Sequence, residues 1–382
     1  MDQHRPGHPG SPMGRSRRDF DRSPFIVFYE VTRSCDLVCV HCRACAQSQA
    51  DPNELTTAQS KALIERFRAF PEPPLLVITG GDPLKRADIF ELIEHAVAQG
   101  LETAITPSPT PLVTTEAIGR LKQAGIARMA VSIDGADAAT HDRMRGVDGS
   151  FEQTGRIMTD ALRFDIKLQV NTTLNPHNYD QLEDIAALLT GENVVLWSVF
   201  LIVPVGRATA ELRLTGAQYE AAFERLWKLS QHARFVIKTT EGMHYRRFVL
   251  QHRKEVEGDA PRLSARRAWG PGHGFPGVND GRGIMFVSHT GLIHPSGFLP
   301  MVCGMYPFND PVDVYQRSPI FRRLRDANTF GGKCGVCEYR HLCGGSRARA
   351  YAVTGDPYAA EPDCVYLPPK WLETAEALAE TP

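Results

Sequence analysis

The chain has 382 residues, 42% hydrophobic and 23% charged, a globular composition too long for one compact core, so one large domain and one smaller one are expected. Lys+Arg 43 against Asp+Glu 44 leave a net charge of -1, so no overall field gathers nucleic acid or an anionic membrane surface, and no nucleic-acid partner is expected. The longest apolar run, Val194–Val205, is broken by Ser198 and Pro204 and falls well short of the roughly 20 residues a membrane span needs. Met1–Arg22 is rich in Arg, Pro, Gly, His and Ser, lacks the apolar stretch of a secretory signal, and reads as a disordered tail. The nine cysteines, most of them in two tight groups of a long unsignalled chain, point to metal or redox chemistry in a reducing cytoplasm rather than to disulfides.

From Phe25 to about Leu229, short β-rich runs alternate with amphipathic helical stretches, the pattern that gives parallel strands joined by helical crossovers. Strands are predicted at Ile26–Val31, Leu75–Thr79, Glu102–Thr106, Ala127–Ile133, Lys167–Thr173 and Val194–Ile202. Thr56-x-x-Gln59 has the capping-box spacing, and Leu63, Ile64, Phe67 and Phe70 follow it at helical intervals. A helix carrying Ile89, Leu92, Ile93, Ala96 and Val97 stops at Gly100, and one carrying Ile118 and Leu121 stops at Gly125. Phe151–Phe164, Tyr179–Leu189 and the segment after Thr215-x-x-Gln218 complete six units. The prediction is an α/β fold, a partial (β/α)6 barrel over residues 23–232. Residues 233–283, basic and then rich in Gly and Pro, read as a linker. A third part, 284–382, has a short β run at Ile284–Ser288, a turn at Pro295–Gly297, a cysteine-dense tail and an amphipathic stretch at Trp371–Ala379.

Cys35-Asp-Leu-Val-Cys39-Val-His-Cys42 follows the first strand, at the end of a barrel where active sites are built. Three thiolates on a four-iron cluster leave one iron open for chemistry; a three-cysteine zinc site has the same spacing. The second strand ends in Gly80-Gly81-Asp82-Pro83, where paired glycines let backbone groups approach a ligand, or simply make a tight turn.

Together these two motifs, within six βα units, resemble the radical S-adenosylmethionine superfamily. The resemblance implies that Cys35, Cys39 and Cys42 hold a 4Fe–4S cluster whose open iron binds the amino and carboxylate groups of S-adenosylmethionine. Reductive cleavage then gives a 5'-deoxyadenosyl radical that abstracts hydrogen from a substrate. It also implies that Gly80, Gly81, Asp82 and Pro83 contact the methionine amine. Asp82 stands where the family usually has Glu. By the same resemblance Ser132 and Asp134, after the fourth strand, face the ribose, and Asn171 is a further polar contact to that cofactor. Pro204-Val205-Gly206-Arg207 is similar to a Pro-x-Gly-Arg segment of the peptide- and tetrapyrrole-modifying branch; Arg207 either grips a carboxylate or salt-bridges at the barrel rim.

Cys334-x2-Cys337-x5-Cys343, with Cys364 later, has the ligand count of a zinc ribbon, but it resembles the SPASM extension, where four cysteines enclose an auxiliary 4Fe–4S cluster. The cysteines of a second auxiliary cluster are missing, Ser346 stands near one of their places, and Cys303 and Cys45 lie outside the pattern, so one auxiliary cluster is expected. Ser288–Pro300 and Gly344–Asp356 are similar to radical enzymes of haem biosynthesis, which remove propionate carboxyls from porphyrin precursors. Arg207, Arg347, Arg349 and the basic Arg234–Arg267 segment are the guanidinium groups on offer to such carboxylates. The substrate is thus a small molecule, a tetrapyrrole, or alternatively a ribosomally made peptide, although the leader-binding segment of peptide modifiers is not expected here. The family also implies a flavodoxin- or ferredoxin-type electron donor. A non-enzymatic zinc or iron-sulfur protein is the remaining alternative.

Overall fold

The structure, a computed structural model, describes residues 18–190, 194–257 and 278–373. Most of the N-terminal tail, the 258–277 part of the basic and glycine-rich segments, and residues 374–379 of the last amphipathic stretch lie outside the described residues.

Ten strands form one sheet: β1 (Ile26–Glu30), β2 (Leu75–Thr79), β3 (Thr103–Ile105), β4 (Arg128–Ser132), β5 (Leu168–Leu174), β6 (Val194–Leu201), β7 (Val236–Thr240), β8 (Ile284–Val287), β9 (Leu292–His294) and β10 (Gly304–Met305), in the order β10-β9-β8-β1-β2-β3-β4-β5-β6-β7. β1 to β7 run parallel with helices between them, the partial barrel the alternating pattern predicts. Strand alternation sorts the side chains. In β5, Leu168, Val170 and Thr172 are buried against the helices while Gln169, Asn171 and Thr173 line the interior. Both expected capping boxes are present, at Thr56/Gln59 ahead of the helix Thr57–Arg68 and at Thr215/Gln218 ahead of Gly216–Ser230. In the first of these helices Leu63, Ile64 and Phe67 form the buried face. No described helix is long and apolar enough to cross a membrane.

Two expectations change. The predicted linker contributes the seventh strand, β7, paired with β6 from Leu196↔Val236 to Phe200↔Thr240, and the helix Tyr245–Glu257. Lys238 interrupts the apolar run there and hides the strand. The end of the predicted tail is packed rather than solvated: Arg18 NH2 donates to Pro73 O at 2.9 Å, and Tyr315 OH donates to Phe20 O at 2.8 Å. The C-terminal unit is joined to the barrel through the sheet itself, since β8 pairs in parallel with β1 and antiparallel with β9. It adds a small core of Leu299, Leu324, Phe330, Ala348 and Tyr358 against Val203.

Candidate active site and cysteine centres

A cavity of about 1780 Å³ runs along the barrel axis, from Leu75, Glu102 and Arg128 at the N-terminal ends of the strands to Thr79, Ser132 and Thr240 at their C-terminal ends. Cys35, Cys39 and Cys42 line its C-terminal mouth. Cys35 and Cys39 are buried and Cys42 half-buried, packed with Leu37, Ala46 and Val147. Leu37 N donates to Cys35 Sγ and Ala46 N to Cys42 Sγ, each at 3.4 Å, so backbone N–H groups already point at two of the sulfurs.

The Gly80-Gly81 turn fits against this loop because it has no side chains. A Cβ on Gly80 would lie 2.5 Å from Thr32 O, and one on Gly81 2.4 Å from Ser34 O and 2.6 Å from Arg33 O. In their place Gly81 N donates to Thr32 O at 2.8 Å and Asp82 N to Ser34 O at 2.6 Å. Gly80 and Gly81 line the cavity, whereas Asp82 and Pro83 do not. The fully buried Asp82 carboxylate caps the turn Pro83–Lys85 through Leu84 N (3.2 Å) and accepts from Thr110 Oγ1 (2.6 Å) and Ser108 N (3.4 Å). Gly81→Ala must push the backbone on which Cys35 sits, because the obstructing atoms are carbonyls rather than flexible side chains. If the loop holds the cluster that the resemblance implies, the expected result is soluble protein with a sharply lower iron content and a matching loss of S-adenosylmethionine cleavage; normal iron and activity would show that the loop has room to move.

Ser132 and Asn171 face the cavity, and Asn171 Oδ1 accepts from Gln169 Nε2 at 2.8 Å. Asp134, expected to face the ribose, is turned away. Its Oδ2 lies 2.7 Å from Arg145 NH2 and 3.3 Å from His41 Nε2, and its Oδ1 accepts from Thr173 N at 2.7 Å. Burial pushes this carboxyl up, but Arg145 and the imidazoles His41 and His141 outweigh it and hold it below the usual range. The consequence is positional, because His41 belongs to the cysteine loop and Arg145 NH1 reaches within 3.9 Å of Cys39 Sγ. Both residues line the cavity; they stand inside motifs quoted above, but nothing in their spacing distinguished them.

Arg207 has no acidic partner at the rim among the described residues. Its Nε donates to Cys39 O at 2.8 Å and its NH1 to Ala46 O at 3.1 Å, clamping the cysteine loop from the far side. Gly206, at φ +68, makes the approach possible, since a Cβ there would sit 2.4 Å from both Cys42 O and Arg43 O.

Glu30, at the end of β1, ties the same loop to the C-terminal unit through Arg43 NH2 (2.6 Å) and His289 Nδ1 (2.8 Å). Burial opposes ionisation, but Arg43 and His289 prevail and lower its carboxyl to about 2. A lowered carboxyl stabilises the fold above its unfolded pKa of about 4.3, on the order of 3 kcal/mol here, and loses that contribution as pH falls towards 2. Glu30→Gln should therefore lower the unfolding temperature at pH 7, by an amount that shrinks below about pH 4.5; an equal gap at both pH values would argue against the ion pair.

Cys334, Cys337, Cys343 and Cys364 line one small cavity, with His244 in its wall. Glu361 N donates to Cys334 Sγ at 3.2 Å and Gly345 N to Cys343 Sγ at 3.4 Å. Burial pushes the Cys337 thiol up to about 11 and Cys343 higher still. His244 is fully buried with neither ring nitrogen hydrogen-bonded among the described residues. Among those residues no three His, Cys, Asp or Glu side chains converge on one metal-ion position. Cys303 packs against the main core and Cys45 turns at φ 48, and neither lines either cavity. Ser346 caps the helix Arg347–Thr354.

Arg347 and Arg349 are unavailable to any substrate, contrary to expectation. Both are fully buried. Arg347 donates to Ala359 O (2.7 Å) and Pro357 O (3.1 Å) and covers the Phe330 ring, while Arg349 pairs with Glu361 at 2.8 Å.

A family model described as the radical SAM superfamily matches residues 29–189. An AdoMet-dependent heme synthase of Nitratidesulfovibrio vulgaris is 38% identical over 367 residues, covering 94% of this chain and 97% of that protein. Its namesake in Methanosarcina barkeri is 34% identical, over 91% of this chain and 98% of that one. The crystal structure of Streptococcus suis SuiB bound to S-adenosylmethionine has a TM-score of 0.67 at 16% identity, covering 90% of this chain and 78% of its own, a likeness of fold. The chain belongs to the radical S-adenosylmethionine superfamily and is an enzyme of that type, with the 4Fe–4S cluster and S-adenosylmethionine that the family carries. Within the superfamily it falls with the haem-biosynthesis branch.

Proposed function

We propose that the protein removes carboxyl groups oxidatively from the propionate side chains of a porphyrin, and that Cys35, Cys39 and Cys42 hold the cluster that starts the reaction. The observation that carries this is the three-thiol loop lying on a side-chain-free glycine turn at the mouth of a cavity of about 1780 Å³. The cavity has room for a tetrapyrrole beside a nucleoside, and the relatives covering nearly the whole chain are named as haem synthases. With one electron, the cluster and S-adenosylmethionine supply methionine and a 5'-deoxyadenosyl radical, which takes a hydrogen atom from the substrate. The substrate radical then loses CO₂ and one electron to leave a vinyl group, so each turnover needs an electron acceptor as well as a donor. The family's flavodoxin- or ferredoxin-type protein is the donor.

The residues divide the work. Arg207, Asp134 and Arg145 fix the cysteine loop, Gly80 and Gly81 offer backbone polar groups to the methionine moiety, and Ser132 and Asn171 offer polar side chains to the nucleoside. Cys334, Cys337, Cys343 and Cys364 would hold one auxiliary 4Fe–4S cluster, which would supply an acceptor for the substrate's electron. Three features fit such a group: four thiols around one cavity, N–H groups aimed at two of the sulfurs, and the His244 ring, whose buried N–H lacks an acceptor that a cluster sulfur would provide.

The test is an anaerobic assay of reconstituted protein with dithionite and S-adenosylmethionine, following 5'-deoxyadenosine with and without iron-coproporphyrin. Formation that rises with porphyrin, together with loss of carboxyl mass, supports the proposal. An equal rate without porphyrin removes the porphyrin and turns attention to peptides.

A further inference from the structure

With Arg347 and Arg349 fully buried and Arg207 bonded to the backbone carbonyls of Cys39 and Ala46, the cations that meet a propionate must come from elsewhere. The cavity wall supplies a different set. Strand alternation turns Lys238 of β7 into the interior, opposite Ser198 of β6 and one inward position below Thr240, so it springs from the wall at mid-strand rather than at the rim. Arg128 of β4 and Arg246, in the helix after β7, line the same cavity. Among the described residues the side chains of Lys238 and Arg128 donate no hydrogen bond. Arg246 is held by Leu342 O (3.1 Å) and Val278 O (2.7 Å).

Acidic groups do not balance the charge of Lys238. Glu102 lies near Arg128 alone. Glu241 lies near Arg246, but burial and the neighbouring Asp280 raise its carboxyl well above the usual range, towards the neutral form. At the lower end Glu72 and Asp21 are engaged with Arg18 and Arg325. Lys238 therefore has cations as its charged neighbours, and burial followed by Arg128 and Arg246 lowers its ammonium to about 8. A charge withdrawn from water without a partner is costly, and folds retain one where a ligand brings the counter-charge.

We propose that Lys238, backed by Arg128 and Arg246, is the receptor for a carboxylate of the substrate, holding one propionate inside the barrel while the ring extends towards the cysteine loop. The proposal rests on the porphyrin reading above and adds the anchoring site. Arg246 donates to Leu342 O at 3.1 Å, the residue beside Cys343, so this anchor and the second cysteine centre are neighbours.

The test is an anaerobic optical titration of the reconstituted full-length protein with iron-coproporphyrin and, in the same detergent, with its tetramethyl ester. Lys238→Met should weaken binding of the tetra-acid about ten- to a hundred-fold, the loss of one charged hydrogen bond. It should leave the ester's binding and porphyrin-independent 5'-deoxyadenosine formation as in wild type. Lys238→Arg, which keeps the charge, should restore most of the affinity, and Lys238→Gln serves in place of the methionine variant if that fails to fold. Unchanged tetra-acid binding, or equal weakening of acid and ester, overturns the anchor. Wild-type protein that cleaves S-adenosylmethionine but binds neither porphyrin overturns the porphyrin reading and the anchor with it.

Discussion

Replacing Cys35 with alanine should reduce 5'-deoxyadenosine formation to background while leaving about half of the iron in place. Cys35 is 6% exposed, receives an N–H from Leu37, and meets Ser108 Oγ at 3.6 Å. With two thiols left the loop cannot close three corners of a four-iron cluster, and without the open iron nothing delivers an electron to the sulfonium. The second centre is built from other segments and should retain its iron. Cys334→Ala should be the mirror image: on the proposed assignment, cleavage of S-adenosylmethionine should persist and porphyrin turnover should fail for want of an acceptor for the substrate's electron. Iron and sulfide analysis with chromatography of 5'-deoxyadenosine reads both variants. Unchanged cleavage in the Cys35 variant would sink the first assignment, and unchanged porphyrin turnover in the Cys334 variant would refute an essential second centre.

Residue types and spacings carried much of this architecture into view. β2 has its predicted bounds and the other five predicted strands lie within a residue of theirs, because Gly, Pro and capping residues punctuate apolar runs whose period is unambiguous. β7 escaped because its central residue is a lysine pointing into a polar cavity, which breaks the apolar signal that marks a strand. The direction of side chains was less legible than their positions. Asp82 and Asp134 sit in strand-end motifs and look like ligand contacts, yet both carboxylates point into the fold and tie loops together. Arg207 follows the same rule, since its clamp on Cys39 O joins segments 168 residues apart and no local pattern encodes it. His244 and Lys238 stood in a segment without a motif, and the missing partners that make them informative exist only in three dimensions.

The largest structural effect is expected at Arg349. Its guanidinium is fully buried, with Nε 2.8 Å from Glu361 Oε1 and 3.1 Å from Asp363 Oδ2, NH2 donating to Glu241 O at 2.8 Å, and NH1 donating to Ile202 O at 3.2 Å. Ile202 and Glu241 follow β6 and β7, so one side chain joins the C-terminal ends of two barrel strands to the segment that precedes Cys364. Glu361 is 1% exposed, and Arg349, outweighing burial, holds its carboxyl at about 2. Arg349→Met fills similar space but strands that carboxylate in the interior, and breaking a buried pair in this way costs about 3–5 kcal/mol. The variant should unfold at markedly lower temperature, and limited proteolysis should release the C-terminal unit first. Combining Arg349→Met with Glu361→Gln removes the stranded charge, so the double variant should regain much of the loss even though it contains two substitutions. A double variant no more stable than Arg349→Met would mean that the cost lies in the lost hydrogen bonds to Ile202 and Glu241 rather than in the buried charge.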